Sequence, residues 1–232
     1  KAIRETDQNV VVNGRLARSS AVSFGDYKNT ADRPAEFYPV EGDWEAIPTT
    51  NESYGYSRYD NSHKPAPFFI RLIAKATARG GNLLMNIGPM GNGVIDPRDT
   101  VILHSVGQWL KTNGPSVYGA TASPLPLQYW GEVTKKGNKL YLHVFNWPAN
   151  GKLVLGGMQG KIKSASLLAS GQTLRFKNNN SDWTFNVPAK APDTVNTVIV
   201  LETKGEIKGG EARRLGSKEK NILRAFDAKL HG

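Results

Sequence analysis

The sequence predicts two parts of different fold class: the last βα units of a TIM-like (β/α) barrel over residues 1–118, then an antiparallel β-sandwich over residues 119–203. Three observations predict this. Helix, strand and helix alternate between about residues 67 and 114, as in βα units on a parallel sheet, either a barrel or a doubly wound sheet. After Gly119 the pattern changes to short strands at a spacing of about 10 residues with Gly-rich turns between them. A complete eight-unit barrel needs about 200 to 250 residues, so 118 residues hold only its closing units, and the earlier ones are expected upstream of Lys1.

Taken in order, Arg4 to Gln8 reads as the end of a helix, and Val10, Val11 and Val12 as a buried parallel strand, because β-branched side chains suit a pleated surface covered on both faces. Asn13-Gly14-Arg15 ends that strand. An irregular segment then runs to about Pro67, far longer than an ordinary connection, and long loops in α/β folds usually carry function. Phe69, Leu72, Ile73 and Ala76 share one helical face, with Pro67 at the helix start and Gly80-Gly81 past its end. Leu83 to Ile87 reads as a strand buried on both sides. The next helix begins at Asp96-Pro97, an acidic cap before a proline, with Val101, Ile102, Val106, Trp109 and Leu110 as its inner stripe and Asn113-Gly114-Pro115 as its stop. In the second part, Leu140–Trp147, Lys152–Leu155, Ser164–Leu168, Gln172–Phe176, Trp183–Val187 and Thr197–Leu201 are the expected strands. Residues 204–232 read as a basic linker or the start of a further domain.

Composition narrows the chemistry. The chain has no cysteine, which excludes disulfides, thiolate metal sites and a cysteine nucleophile. No apolar run approaches the roughly 20 residues of a membrane helix, so no membrane partner is expected. The net charge of +10 invites a nucleic-acid partner, but four of those ten charges fall in residues 203–232, where a solvated basic tail explains them, and no interleaved aromatic pattern accompanies them. The histidines at 63, 104, 143 and 231 lack metal-ligand spacing. The turn Gly88–Gly93 lacks the glycine order of a dinucleotide site and the Lys-Ser/Thr of a P-loop, and no Gly-x-Ser-x-Gly elbow offers a serine nucleophile.

The long loop after the Val run collects acids and aromatics instead, among them Asp26, Asp32, Glu36, Glu41, Trp44, Glu45, Tyr54 and Tyr56. Residues that follow barrel strands face the catalytic mouth. Carboxylates for proton transfer and flat rings against the C–H patches of a sugar are what glycoside hydrolysis requires.

The combination of Trp44-Glu45 with Thr50-Asn51-Glu52-Ser53-Tyr54-Gly55-Tyr56, then Gly80-Gly81-Asn82-Leu83-Leu84-Met85-Asn86-Ile87-Gly88-Pro89, then Gly107-Gln108-Trp109-Leu110 and Asn113-Gly114 with Tyr118, resembles the α-L-fucosidases of glycoside hydrolase family 29 over about residues 8 to 203. The resemblance implies a retaining hydrolase that removes terminal α-linked L-fucose from an oligosaccharide or glycoconjugate, without metal or organic cofactor. It also implies export, to the periplasm or the cell exterior. The family's nucleophile, an Asp on an earlier barrel strand, is expected upstream of Lys1, in the missing half of the barrel, whether that half belongs to the same or a separate chain. For the general acid the resemblance points to Asp32 in Asn29-Thr30-Ala31-Asp32, with Glu36, Glu41 and Glu45 as rivals. Arg15 matches the arginine that contacts the sugar near its ring oxygen, although Gly14 stands where the family has Asp. Tyr54 matches the aromatic that packs on the C5 methyl of fucose. Trp44 and Glu45 complete the expected substrate-binding set, with Glu45 equally suited to holding the loop by hydrogen bonds. Two alternatives stay open: a glycosidase of other specificity, such as one for α-galactosides, and a non-catalytic carbohydrate-binding module.

Overall fold

The computed structural model describes residues 2–16, 25–30, 42–179 and 182–210. The first part is a parallel sheet backed by helices. After the short helix α1 (Ala2–Thr6) the chain extends through Val10–Asn13, and Asn13 forms a parallel bridge to Tyr27. Beside it lie β1 (Lys28–Asn29), β2 (Trp44–Ala46) and β3 (Gly81–Leu83), paired in that order and all parallel. Four neighbouring parallel strand segments in chain order are the progression of a (β/α) barrel.

Helix α2 (Ala66–Ala78) covers the outer face of this sheet. Its apolar stripe buries Phe69, Leu72 and Ala76 as the spacing predicts, and Leu72 and Ala76 pack on Trp44 and Ala46. Gly80, at a φ of 76°, turns the chain after the helix into a conformation that only glycine adopts cheaply. Helix α3 (Pro97–Asn113) starts at the expected cap, where the Asp96 carboxylate accepts the Arg98 N–H at 2.9 Å.

The second part is a sandwich. One sheet has the order β4 (Thr121–Ala122), β5 (Gly131–Lys136), β6 (Lys139–Val144), β11 (Thr197–Gly209), β8 (Met158–Leu167). The other has β7 (Lys152–Leu155), β10 (Asp182–Asn186) and β9 (Phe176–Asn179). Leu140, Leu142 and Val144 point inward between the sheets with Trp130, Leu153, Leu155, Phe185, Ile199 and Leu201. The alternate residues Tyr141 and Val198 face the other way, onto Phe69, Ile70, Ile102, Val106 and Trp109 of the two helices. The five-stranded sheet is thus a middle layer, apolar on both faces, which is why Leu140–Val144 lacks the polar alternation of a solvent-facing strand.

Polar ties cross the same boundary. Arg71 of α2 donates from Nε to the Val195 carbonyl at 2.8 Å and from Nη2 to the carbonyls of Phe145 and Thr194, while its guanidinium lies over the Phe145 ring. The Trp109 indole donates to the Asn196 carbonyl at 3.1 Å, and Arg79 meets Glu132 at 3.4 Å.

Several expectations are corrected. Val11 is 70% exposed and only Val12 of the Val run is buried, while the strand expected over Leu83–Ile87 is β3 at Gly81–Leu83, and Leu84 just past it is 51% exposed. Helix α2 covers one face of β2 and β3, and within the described residues the double burial read from these apolar runs is not seen. Val101 is 67% exposed, outside the inner stripe of α3. Strand β5 was not expected, β9 begins where a strand was expected to end, and β11 continues to Gly209, past the boundary at residue 203. Residues 211–232, which hold most of the basic tail, lie outside the described residues.

His143 sits at the centre of the middle layer, fully buried, with Thr134 Oγ1 and Asn196 Nδ2 each 3.2 Å from a ring nitrogen. Burial outweighs the opposing hydrogen bonds to the Ser116 backbone and to Asn196 and lowers its pKa from 6.5 to about 4. A folded-state pKa below the unfolded one means that the stabilisation is complete above about 6.5 and is lost as pH falls toward 4. At 1.36 kcal/mol per unit the loss is about 3 kcal/mol. Melting temperatures measured from pH 7 to pH 4 are expected to fall across that window, and a His143→Gln variant is expected to lose this part of the slope.

Candidate functional site

All the expected sugar-site residues that are described lie on the parallel sheet or just past the C-terminal ends of its strands. Arg15 is in a 3-10 turn (Gly14–Leu16) directly after the Val10–Asn13 segment, and it is exposed. The Asn13 side chain shapes this turn: Oδ1 accepts the Arg15 N–H at 2.7 Å, and Nδ2 reaches the Tyr27 hydroxyl at 3.2 Å. Asp26 closes the strand start, accepting from Val12 N–H at 2.7 Å and from Arg4 at 2.6 Å. The Val12 bond, with help from Arg4, holds its carboxyl below the usual range.

On β2 the pleat separates two expected site residues. Trp44 and Ala46 point outward to α2, and Glu45 points to the opposite, inner face. Trp44 is only 1% exposed, its indole donates to the Arg79 carbonyl at 3.3 Å, and its ring fills the space over Gly81, where a Cβ would come within 2.2 Å of it. Both ring faces are committed to the core, so Trp44 is no sugar platform here, contrary to the expectation. Glu45 is half-buried and accepts a hydrogen bond from Asn29 Nδ2 of β1 at 3.2 Å, tying two strands together in their shared row.

The loop after β2 carries Tyr54, which has a φ of 60°, the only described non-glycine residue in the left-handed region. Such a conformation costs roughly 1–3 kcal/mol and persists only where neighbours enforce it. Here they do. Asn86 Nδ2 donates to the Tyr54 carbonyl at 2.7 Å, Asn51 Nδ2 donates to the Gly55 carbonyl at 3.0 Å, and the Tyr54 hydroxyl donates to the Ile47 carbonyl at 3.2 Å. Gly88 presses against the same turn: a Cβ there would lie 2.5 Å from Gly55 C and Tyr56 N.

The rest of the loop is fastened by carboxylates. Asp60 accepts from the backbone and hydroxyls of Ser53 and Ser62, the Ser62 hydroxyl bond being very short, and these bonds drive its pKa far down. Arg98 reaches back from α3 to the Asp60 carbonyl at 2.6 Å while pairing with Asp96, whose pKa its bonds lower to about 2. The displaced carboxyls Asp26, Asp60 and Asp96 are all displaced toward the ionised form, the opposite of what a general acid needs. Asp32, the expected acid, and its rivals Glu36 and Glu41 lie outside the described residues.

Sequence reasoning missed Asn51, Asn86, Gly88 and Arg98 as site-shaping residues. The available signal was a lone polar residue, Asn86, inside the apolar run Leu83–Ile87, followed directly by Gly88-Pro89.

Comparison with known proteins places this fold among relatives. Residues 1–115 match the Alpha-L-fucosidase family model. Among similar proteins, the alpha-L-fucosidase of Dictyostelium discoideum is 27% identical over 195 residues, covering 79% of this chain and 42% of the relative. That of Branchiostoma floridae is 31% identical over 155 residues, covering 63% of this chain and 34% of the relative. Alpha-L-fucosidase isoenzyme 1 from Paenibacillus thiaminolyticus superposes with a TM-score of 0.79 at 31% identity, covering 88% of this chain and 52% of that structure. A family 29 enzyme from Bacteroides thetaiotaomicron, trapped as a covalent intermediate in complex with 2-fluoro-fucosyl fluoride, superposes at 0.76 and 26% identity, covering 88% and 51%. The chain spans about half or less of the length of these relatives. Its parallel sheet and its sandwich agree with theirs, and it belongs to the α-L-fucosidase family, glycoside hydrolase family 29.

Proposed function

We propose that the chain supplies the acid/base half of a retaining exo-α-L-fucosidase site acting on fucosylated oligosaccharides or glycoconjugates. The nucleophilic carboxylate comes from barrel strands preceding Lys1. Asp32 is the general acid, Arg15 binds near the ring oxygen, and Tyr54 walls the C5 methyl. The observation that carries this reading is the rigidly held Tyr54 turn, at the strand ends where a barrel binds its substrate, presenting a ring in a backbone conformation that costs energy to keep. Glu45 acts as a strand tie. Retention requires the two carboxyls about 5 to 5.5 Å apart, so that one attacks the anomeric carbon while the other protonates the leaving oxygen.

The test compares nitrophenyl α-L-fucoside with nitrophenyl α-L-galactoside, which carries a hydroxyl on the C5 substituent, using the complete protein that contains this chain. Fucoside is expected to be favoured in kcat/KM, because an apolar pocket for one methyl is worth about 1–3 kcal/mol. Tyr54→Ala is expected to lower that preference about tenfold or more. Equal turnover of both sugars, or a product of inverted configuration, would remove the proposal in favour of another glycosidase.

A further inference from the structure

The first turn of α3 contains a buried carboxylate with no part in the chemistry proposed above. Asp99, 1% exposed, stands at the third helical position after the Asp96 cap, where the helix N-terminus favours negative charge. Its Oδ2 accepts the Gly88 N–H at 3.2 Å. Its Oδ1 lies 3.4 Å from His63 Nε2, at the end of the Tyr54 loop. That oxygen and both nitrogens of the nearly buried His63 ring make no hydrogen bond. Native structures keep few such groups, and each costs about 1–3 kcal/mol. A pair retained at that cost calls for a purpose.

The contacts supply one. Asp99 fixes the Gly88 amide, Gly88 lies in backbone contact with Gly55 and Tyr56, and Gly55 is the residue after Tyr54. Glycine is required at 88 because any Cβ would meet that backbone at 2.5 Å. Arg98, one residue before Asp99, holds the far arm of the same loop at the Asp60 and Ser57 carbonyls. The start of α3 therefore grips the Tyr54 loop at both ends, through a strand-end turn at one and directly at the other.

We propose that Asp99, assisted by His63, is a positioning residue for sugar selection: through Gly88 it sets the height of the Tyr54 ring against the C5 substituent of the substrate. It touches no sugar itself. The proposal rests on the reading of Tyr54 as the methyl wall. A displacement of about 1 Å in such a wall is enough to cost a large part of the selectivity.

The experiment measures kcat/KM for nitrophenyl α-L-fucoside and α-L-galactoside, with melting temperatures, in the complete protein and in its Asp99→Ala, Asp99→Asn and Tyr54→Ala variants. Asp99→Ala frees the Gly88 amide and is expected to lower the fucoside-to-galactoside ratio about tenfold, chiefly through KM for the fucoside. Asp99→Asn keeps an acceptor for Gly88 and offers an N–H to His63, and is expected to keep the wild-type ratio. Hydrogen exchange at the Gly88, Gly55 and Tyr56 amides is expected to speed up in Asp99→Ala and not in Asp99→Asn. A purely structural Asp99 would lower turnover of both sugars alike and leave the ratio unchanged, which overturns the proposal whenever Tyr54→Ala does shift that ratio. If Tyr54→Ala leaves it unchanged, the methyl-wall reading is itself wrong and this proposal falls with it.

Discussion

Replacing Asp32 by asparagine in the complete protein is expected to reduce hydrolysis of natural fucosylated glycans by about 100- to 10,000-fold, the range for losing a positioned general acid. Turnover of nitrophenyl α-L-fucoside is expected to change far less, because nitrophenolate departs without a proton. The split between the two substrates distinguishes the proton donor from a residue that merely supports the loop, whose loss would slow both. A general acid must stay protonated at working pH. If Asp32→Asn leaves glycan hydrolysis intact, the donor must be sought among Glu36, Glu41 and Glu45. Glu45 is the weakest of these, since its Oε1 already accepts an amide hydrogen from Asn29 and its place mid-strand suits a tie.

The second large effect concerns stability. Trp44→Ala removes a 1% exposed indole from between β2, β3 and α2, and deletions of that size typically cost about 3–5 kcal/mol. For a chain of this length that corresponds to a fall in melting temperature on the order of 10 °C. A sugar platform would behave in the opposite way, raising KM while leaving the melting temperature nearly unchanged. Calorimetry and steady-state kinetics on the one variant therefore separate the two roles.

Trp44 also illustrates how far the sequence could be read. A Trp-Glu pair near the strand ends suggests a sugar site, but a two-residue periodicity sends neighbours to opposite faces, and nothing local says which face the helix will cover. Helices α2 and α3 were legible because their stripes and their Pro and Asp start signals are local, and Asp96 caps α3 where the sequence placed it. Strand β5 was not. Gly131–Lys136 carries Glu132 and Thr134, which read as surface residues, yet both are buried, Thr134 by bonding the Ser116 carbonyl and Glu132 against Arg79. The motif singled out Tyr54, but the contacts that hold its turn could not be read from it: Asn86, Gly88 and Asp99 act on backbone atoms 11 to 33 residues away, and no spacing in the chain announces such contacts.

Arg71 has one more implication, for inheritance. Its guanidinium is spent on carbonyls of the 145 and 194–195 turns, and Phe69 beside it is sealed by the same sheet. Grafting a different module after Gly119 would strand a cation and an aromatic patch on the helix that follows the Tyr54 loop. The helical layer and the sandwich must therefore pass from ancestor to descendant as a matched set, and swapping one demands rewriting the other.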